Sequence, residues 1–153
     1  MNSADFRKMT EVLFGDVTLS AQYRLPSQDQ EYWKRSYVRT AFSMLEGLIF
    51  KIKEVLTAAA EAGKLPCDPS ELAILREEAY GLRDNGETQV RQRFFPLTAN
   101  IRFVAKLYAR YDESGFTLDT ADAGWAAFQE AVRVRHRLTH PKSGADLEIS
   151  DAE

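Results

Sequence analysis

Two histidines, His136 and His140, stand four residues apart and are the only two in the chain. They lie in Val132–Gly144, VRVRHRLTHPKSG, where Arg133, Arg135 and Arg137 alternate and Pro141 directly follows the second histidine. An imidazole gives or takes a proton near neutrality. A guanidinium stays cationic and presents a planar fork of donors that matches phosphate oxygens. Together they suit attack of an RNA 2′-hydroxyl on its own phosphate, one group moving the proton and the other holding the developing charge. This chemistry needs no metal, and two histidines without close carboxylates or thiolates make a poor zinc set. No cofactor is expected.

Residues four apart on a helix share a face, so His136 neighbours His140 and Arg133 neighbours Arg137. Arg135 and His140 are five apart, about 140° around the helical wheel. A rigid helix would separate them. Pro141 disfavours the α conformation at His140, so the helix must fray or turn there, and the long Arg135 side chain can then reach towards the histidine. The plainer reading is a cationic helix end, where each charge stabilises the macrodipole by roughly 0.3–1 kcal/mol at low salt. Composition alone favours that plainer reading.

The elements that would carry this run are helical. Residues 4–14 show Phe6, Met9 and Leu13 on one face, and Gly15 to Pro26 reads as a connection. From Ser27 to Gly63 apolar residues recur at threes and fours: Trp33, Tyr37, Ala41, Met44, Leu48, Ile52, Leu56, Ala59. Ser27 and Gln30 have capping-box spacing, and Gly63 is placed to end the helix. Such a helix runs on the order of 50 Å, the length of a bundle spine shared with a second subunit. Asp68, Pro69 and Glu71 fit N-cap, N1 and N3 of the next helix, whose apolar face is Leu72, Leu75, Ala79 and Leu82. An Asn-Gly turn signal follows in GLRDNGE. TQVRQRFF fits either a short extended piece or an irregular arm; its Arg91, Arg93, Phe94 and Phe95 suit either stacking on single-stranded RNA or anchoring a loop to the core. A helix returns from Pro96 to Tyr111, and the last begins near Asp119 or Asp122 and ends near His140.

These segments predict an all-α fold, an antiparallel up-and-down bundle of four to five helices in a single domain over residues 1–153. The acidic tail from about 144 to 153 carries Asp146, Glu148, Asp151 and Glu153, charges that repel phosphate unless the tail folds away. Its Ser150-x-x-Glu153 has capping-box spacing with no helix after it. Net charge is −3, so any nucleic-acid contact must come from a local patch. The lone Cys67 cannot form an internal disulfide. No signal peptide opens the chain and no apolar run approaches the ~20 residues of a membrane span, so a cytoplasmic protein without membrane contact is expected.

RHRLTHPKSG, at the end of the final long helix of an α bundle, resembles the HEPN superfamily (higher eukaryotes and prokaryotes nucleotide-binding). The signature of that superfamily is Arg, a polar residue and a gap of four to six residues to His, met here by Arg135, His136 and His140. SYVRTAFSMLEGLIFKI resembles the long early helix of such proteins, with Arg39 and Glu46 at the places where an Arg and a Glu often recur. The resemblance implies a metal-independent endoribonuclease of toxin–antitoxin, phage-defence or RNA-processing systems, working as a homodimer with two motifs facing one cleft. Its partners would be RNA and an antitoxin or another protein. Arg135 would stabilise the phosphate, His140 would act as acid or base, and His136 would orient the pair or touch RNA. If RNA binds, Arg137 and Lys142 would face phosphate; otherwise they are plain surface charges. Glu46 would pair with a buried arginine or with the motif, as a structural salt bridge or as a support of the site. The other reading is a non-catalytic relative that only binds RNA, a nucleotide or a protein.

Overall fold

The computed structural model describes residues 3–22 and 30–150. It is mostly helical, in keeping with the all-α class: α1 (Ser3–Gln22), α2 (Gln30–Glu61), α3 (Pro69–Leu75), α4 (Leu97–Asp112) and α5 (Ala123–Thr139), with a short 3-10 turn at Gly144–Leu147. One antiparallel hairpin, β1 (Glu78–Leu82) and β2 (Thr88–Gln92), lies between α3 and α4. The residues fall into two compact units, one of residues 1–48 with 119–153, the other of residues 49–118. The expected single domain had no linker to mark such a division, and the boundary falls inside α2.

α1 continues through Gly15 to Gln22, where a connection was expected from Gly15 onward. A helical glycine costs about 1 kcal/mol relative to alanine, too little to stop a helix that gains contacts beyond it. The Thr18 hydroxyl donates back to the Phe14 carbonyl at 2.8 Å, and the Trp33 indole N–H donates to the Ser20 carbonyl. Ser27 of the expected capping box lies outside the described residues. α2 ends as the sequence predicts: Gly63 takes φ +70°, Lys64 N–H donates to Ala59 O at 2.9 Å, and Gly63 N–H donates to Ala60 O at 3.0 Å, the paired bonds of a glycine-terminated helix.

In the unit of residues 1–48 and 119–153, the buried residues among those described are Phe42, Trp125, Val132, Val134, Leu138 and Ile149. Phe128 stacks on Phe42 and tilts against Trp125, with ring centroids 6.2 and 5.3 Å away. Asp122 caps the start of α5, its carboxylate accepting the Trp125 N–H at 2.6 Å. This settles the choice between Asp119 and Asp122.

In the unit of residues 49–118, Asp68 caps α3 as expected, accepting the N–H groups of Ser70 and Glu71 at 2.8 and 2.9 Å. The helix stops at Leu75, however, and Ala79 and Leu82 belong to β1. The stop sits at Glu77, which adopts a left-handed φ of +56°. Its carboxylate accepts from the Lys53 ammonium at 2.9 Å, and Asn100 accepts from the same ammonium at 3.2 Å. Lys53 is only 2% exposed, and a charge that deep persists only when paired. The hairpin turns through Asp84-Asn85-Gly86 with Gly86 at φ +81°, and Arg83 N–H donates to Glu87 O at 2.9 Å. A three-residue loop with glycine in the left-handed position is a preferred hairpin connection. TQVRQRFF is therefore a strand followed by an arm.

Candidate functional site

α5 delivers the basic run to its own C-terminus. Thr139 is the last helical residue, and His140 leaves the helix at φ −129° and ψ 59° while its N–H still donates to His136 O at 3.0 Å. This is the break that Pro141 demands. Along the final turns, Val134 and Leu138 are buried, and Arg135 and Thr139 share the adjacent stripe four residues apart. On α2, Arg39, Ser43 and Glu46 share a stripe by the same rule. The two stripes line one cavity of about 380 Å³ together with the side chains of Phe42 and Leu138. Arg135 Nη2 donates to Glu46 Oε1 at 2.6 Å, and Arg39 Nη2 donates to the Leu138 carbonyl at 3.3 Å. The Arg135 side chain is 25% exposed and that of Glu46 42% exposed.

The structure thus joins Arg135 to Glu46 and sets Arg39 in the wall of the same cavity. His140 does not line the cavity. The imidazoles of His136 and His140 are both exposed, and no hydrogen bond or ion pair joins either to another described residue. Pro141 frees His140 from the helix without bringing it to Arg135 within one chain. Arg133 points outward and pairs with Glu130.

Arg137 meets the tail through its side chain, and Lys142 only through its backbone N–H. Arg137 is half-buried and donates to the carbonyls of Asp146, at 3.1 Å, and of Glu148. Lys142 is exposed, and its N–H donates to the Asp146 carboxylate at 2.8 Å. Ser143 donates to that carboxylate through its N–H and hydroxyl at 2.8 and 3.1 Å. The backbone donors of Lys142 and Ser143 hold the Asp146 carboxyl below its ordinary range. Further along, Arg35 donates to Leu147 O at 3.1 Å, and Lys34 donates to Ile149 O at 3.0 Å. Ile149 N–H donates to the Glu31 carboxylate at 3.3 Å, and this bond, followed by the pairing of the Lys34 ammonium with the same carboxylate at 3.2 Å, lowers the Glu31 pKa. Ile149 packs with Val134 and Leu138, flanked by Val38 and Leu147. The described part of the acidic tail is therefore folded onto α2 and α5. Two signals for this lay in the sequence: Ser143-x-x-Asp146, a second capping box, and the apolar Leu147 and Ile149 within an acidic stretch.

The RQRFF arm divides its residues. Phe95 is half-buried, with the Lys53 ammonium 5.8 Å and the Arg93 guanidinium 5.1 Å from its ring centre. Phe94 is 76% exposed, and Arg91 donates to the Gln89 side chain at 2.7 Å. One phenylalanine anchors the arm and the other does not. Burial pushes the Cys67 thiol up, with Glu71 adding to the effect, which leaves it a poor nucleophile. Among the described residues no group of three or more His, Cys, Asp or Glu side chains could hold a metal ion. None of the described helices is long and apolar enough to cross a membrane. Compared with protein-family models, curated proteins and solved structures, the chain matches none of them.

Proposed function

We propose that this chain is a metal-independent endoribonuclease of HEPN type, an antiparallel helical bundle that acts as a homodimer. The observation that carries the reading is the open cavity at the end of α5, where Arg39 and Arg135 from two helices line one space and the exposed His140 stands just beyond the last helical residue. In the reaction, His140 takes the proton of an RNA 2′-hydroxyl. The freed oxygen attacks the adjacent phosphorus, and the bond to the 5′-oxygen breaks. That oxygen leaves with a proton returned by the protonated His140 imidazole, so the products carry a 2′,3′-cyclic phosphate and a 5′-hydroxyl. Arg135 holds the charge that builds on the phosphoryl oxygens. Dimerisation gives the exposed His140 its role, because the histidine of one copy then faces the Arg135 cavity of the other. His136 orients this pair or touches RNA. Arg137 acts through the tail that it holds, and the exposed Lys142 side chain faces phosphate.

The test is cleavage of a labelled RNA by the wild type, Arg135→Ala and His140→Ala, with and without EDTA. Loss of cleavage in both variants at an unchanged melting temperature supports the reading. Cleavage that persists in both, or that EDTA stops, overturns it. The second reading, a non-catalytic module that binds RNA, a nucleotide or a protein partner such as an antitoxin, is favoured by one observation: Glu46 engages Arg135 within the same chain, and no histidine lines their cavity. RNA bound by the wild type but never cut would select it.

A further inference from the structure

We infer that the cavity lined by Arg39, Ser43, Glu46 and Arg135 is a binding site for a single phosphate group, with the Glu46 carboxylate as its built-in competitor. The identification of the anion as a phosphate rests on the ribonuclease reading above.

The walls supply the charge. Two guanidinium groups approach from separate helices, each with five N–H donors in a fixed fork, and the bonds described for them leave donors of both unspent. Ser43 adds an exposed hydroxyl on the same stripe of α2. Phe42 and Leu138, both buried, form an apolar floor, and low polarity beneath a charge strengthens its pairing. A carbonyl at the C-terminus of a helix repels an anion, and Arg39 covers that of Leu138. At about 380 Å³ the cavity lies at the small end of ligand sites, ~300–1,000 Å³. It has room for a phosphate and part of its ester rather than for a run of bases.

Glu46 explains how the site stays selective. Its carboxylate holds Arg135 at 2.6 Å, where an incoming anion would bind. With 42% of its side chain exposed, it can swing into water, and pairs so exposed are weak. An ion that reaches only one of the two guanidinium groups gains little by displacing it. A phosphate oxygen set that grips both guanidinium groups gains more. Before displacement the cavity carries two cations and one anion. Afterwards both cations face the ligand.

The experiment measures binding of inorganic phosphate, adenosine monophosphate and adenosine to the full chain, by calorimetry and by the arginine side-chain N–H signals in NMR. Phosphate and the monophosphate should bind and adenosine should not. Glu46→Gln should tighten phosphate binding up to about fivefold, since it removes a partly exposed competitor. Arg39→Gln, checked for an unchanged melting temperature, should weaken it by roughly tenfold to a hundredfold. Phosphate binding that neither substitution changes, binding of adenosine as tight as the monophosphate, or no phosphate binding at millimolar concentration would overturn the inference. His140→Ala separates the two proposals, because it should leave phosphate binding intact while ending cleavage. If the wild type never cuts RNA but the binding pattern holds, the reaction fails and the site stands. If RNA is cut while both substitutions leave phosphate binding alone, the site fails and the reaction stands.

Discussion

Arg135 was singled out from the sequence for its distance from His140, and the structure gives it a different partner in Glu46. The reason is angular. Five helical residues leave two side chains about 140° apart, and a break at Pro141 reorients His140 without turning Arg135. Glu46 was legible as an ion-pair partner because a carboxylate on a mostly apolar stripe needs one. Lys53 was not legible: it lies among apolar residues of α2, and its partners Glu77 and Asn100 are 24 and 47 residues away. Removing one member of a buried pair strands the other. Lys53→Ala should therefore cost about 3–5 kcal/mol in urea unfolding. Glu46→Ala, whose carboxylate is far more exposed, should cost no more than about 1 kcal/mol.

The elements divide by how local their determinants are. The end of α2, the start of α3 and both ends of α5 could be read in advance because Gly63, Asp68, Asp122 and Pro141 act through neighbouring backbone groups. The hairpin was missed because Leu72, Leu75, Ala79 and Leu82 fit a helical period, and only the left-handed Glu77 shows the chain reversing. Whether the acidic C-terminal segment folds away was not legible in the sequence, because its anchors, Glu31, Lys34 and Arg35, stand more than a hundred residues earlier. That docking predicts two results. Ile149→Ala, at a buried position in the cluster with Val134 and Leu138, should lower unfolding free energy by about 2–5 kcal/mol. Docking should also weaken in acid. Asp146 and Glu31 have folded pKa values held below their ordinary 3.8 and 4.5. Their contribution is complete above those ordinary values and fades as pH falls through the lowered folded ones. Tail signals in NMR should thus stay constant from pH 7 to 5 and shift only below about pH 4. A shift centred near pH 6 would contradict this assignment.

For the molecule as a whole, helical periodicity gave the class, and no feature of α2 marked a division between Leu48 and Ile49, because an uninterrupted helix crosses it. Partner copies leave no direct trace in one sequence. The exposed His140 outside the Arg135 cavity supplies a way to look for them. If each site takes its arginine from one copy and its histidine from the other, inactive Arg135→Ala and inactive His140→Ala proteins should regain partial activity when mixed and allowed to exchange subunits. A mixture that sediments as dimers and stays inactive would place both groups of a site within one chain.

The central claim is that Arg135 and His140 cut RNA without a metal. Its most direct measurement is the digestion of a 5′-labelled RNA by the wild type and the two alanine variants in EDTA. Fragments ending in 2′,3′-cyclic phosphate are expected from the wild type and none from either variant, with all three proteins melting alike. Intact RNA in every lane, or equal cutting by the variants, would contradict the claim.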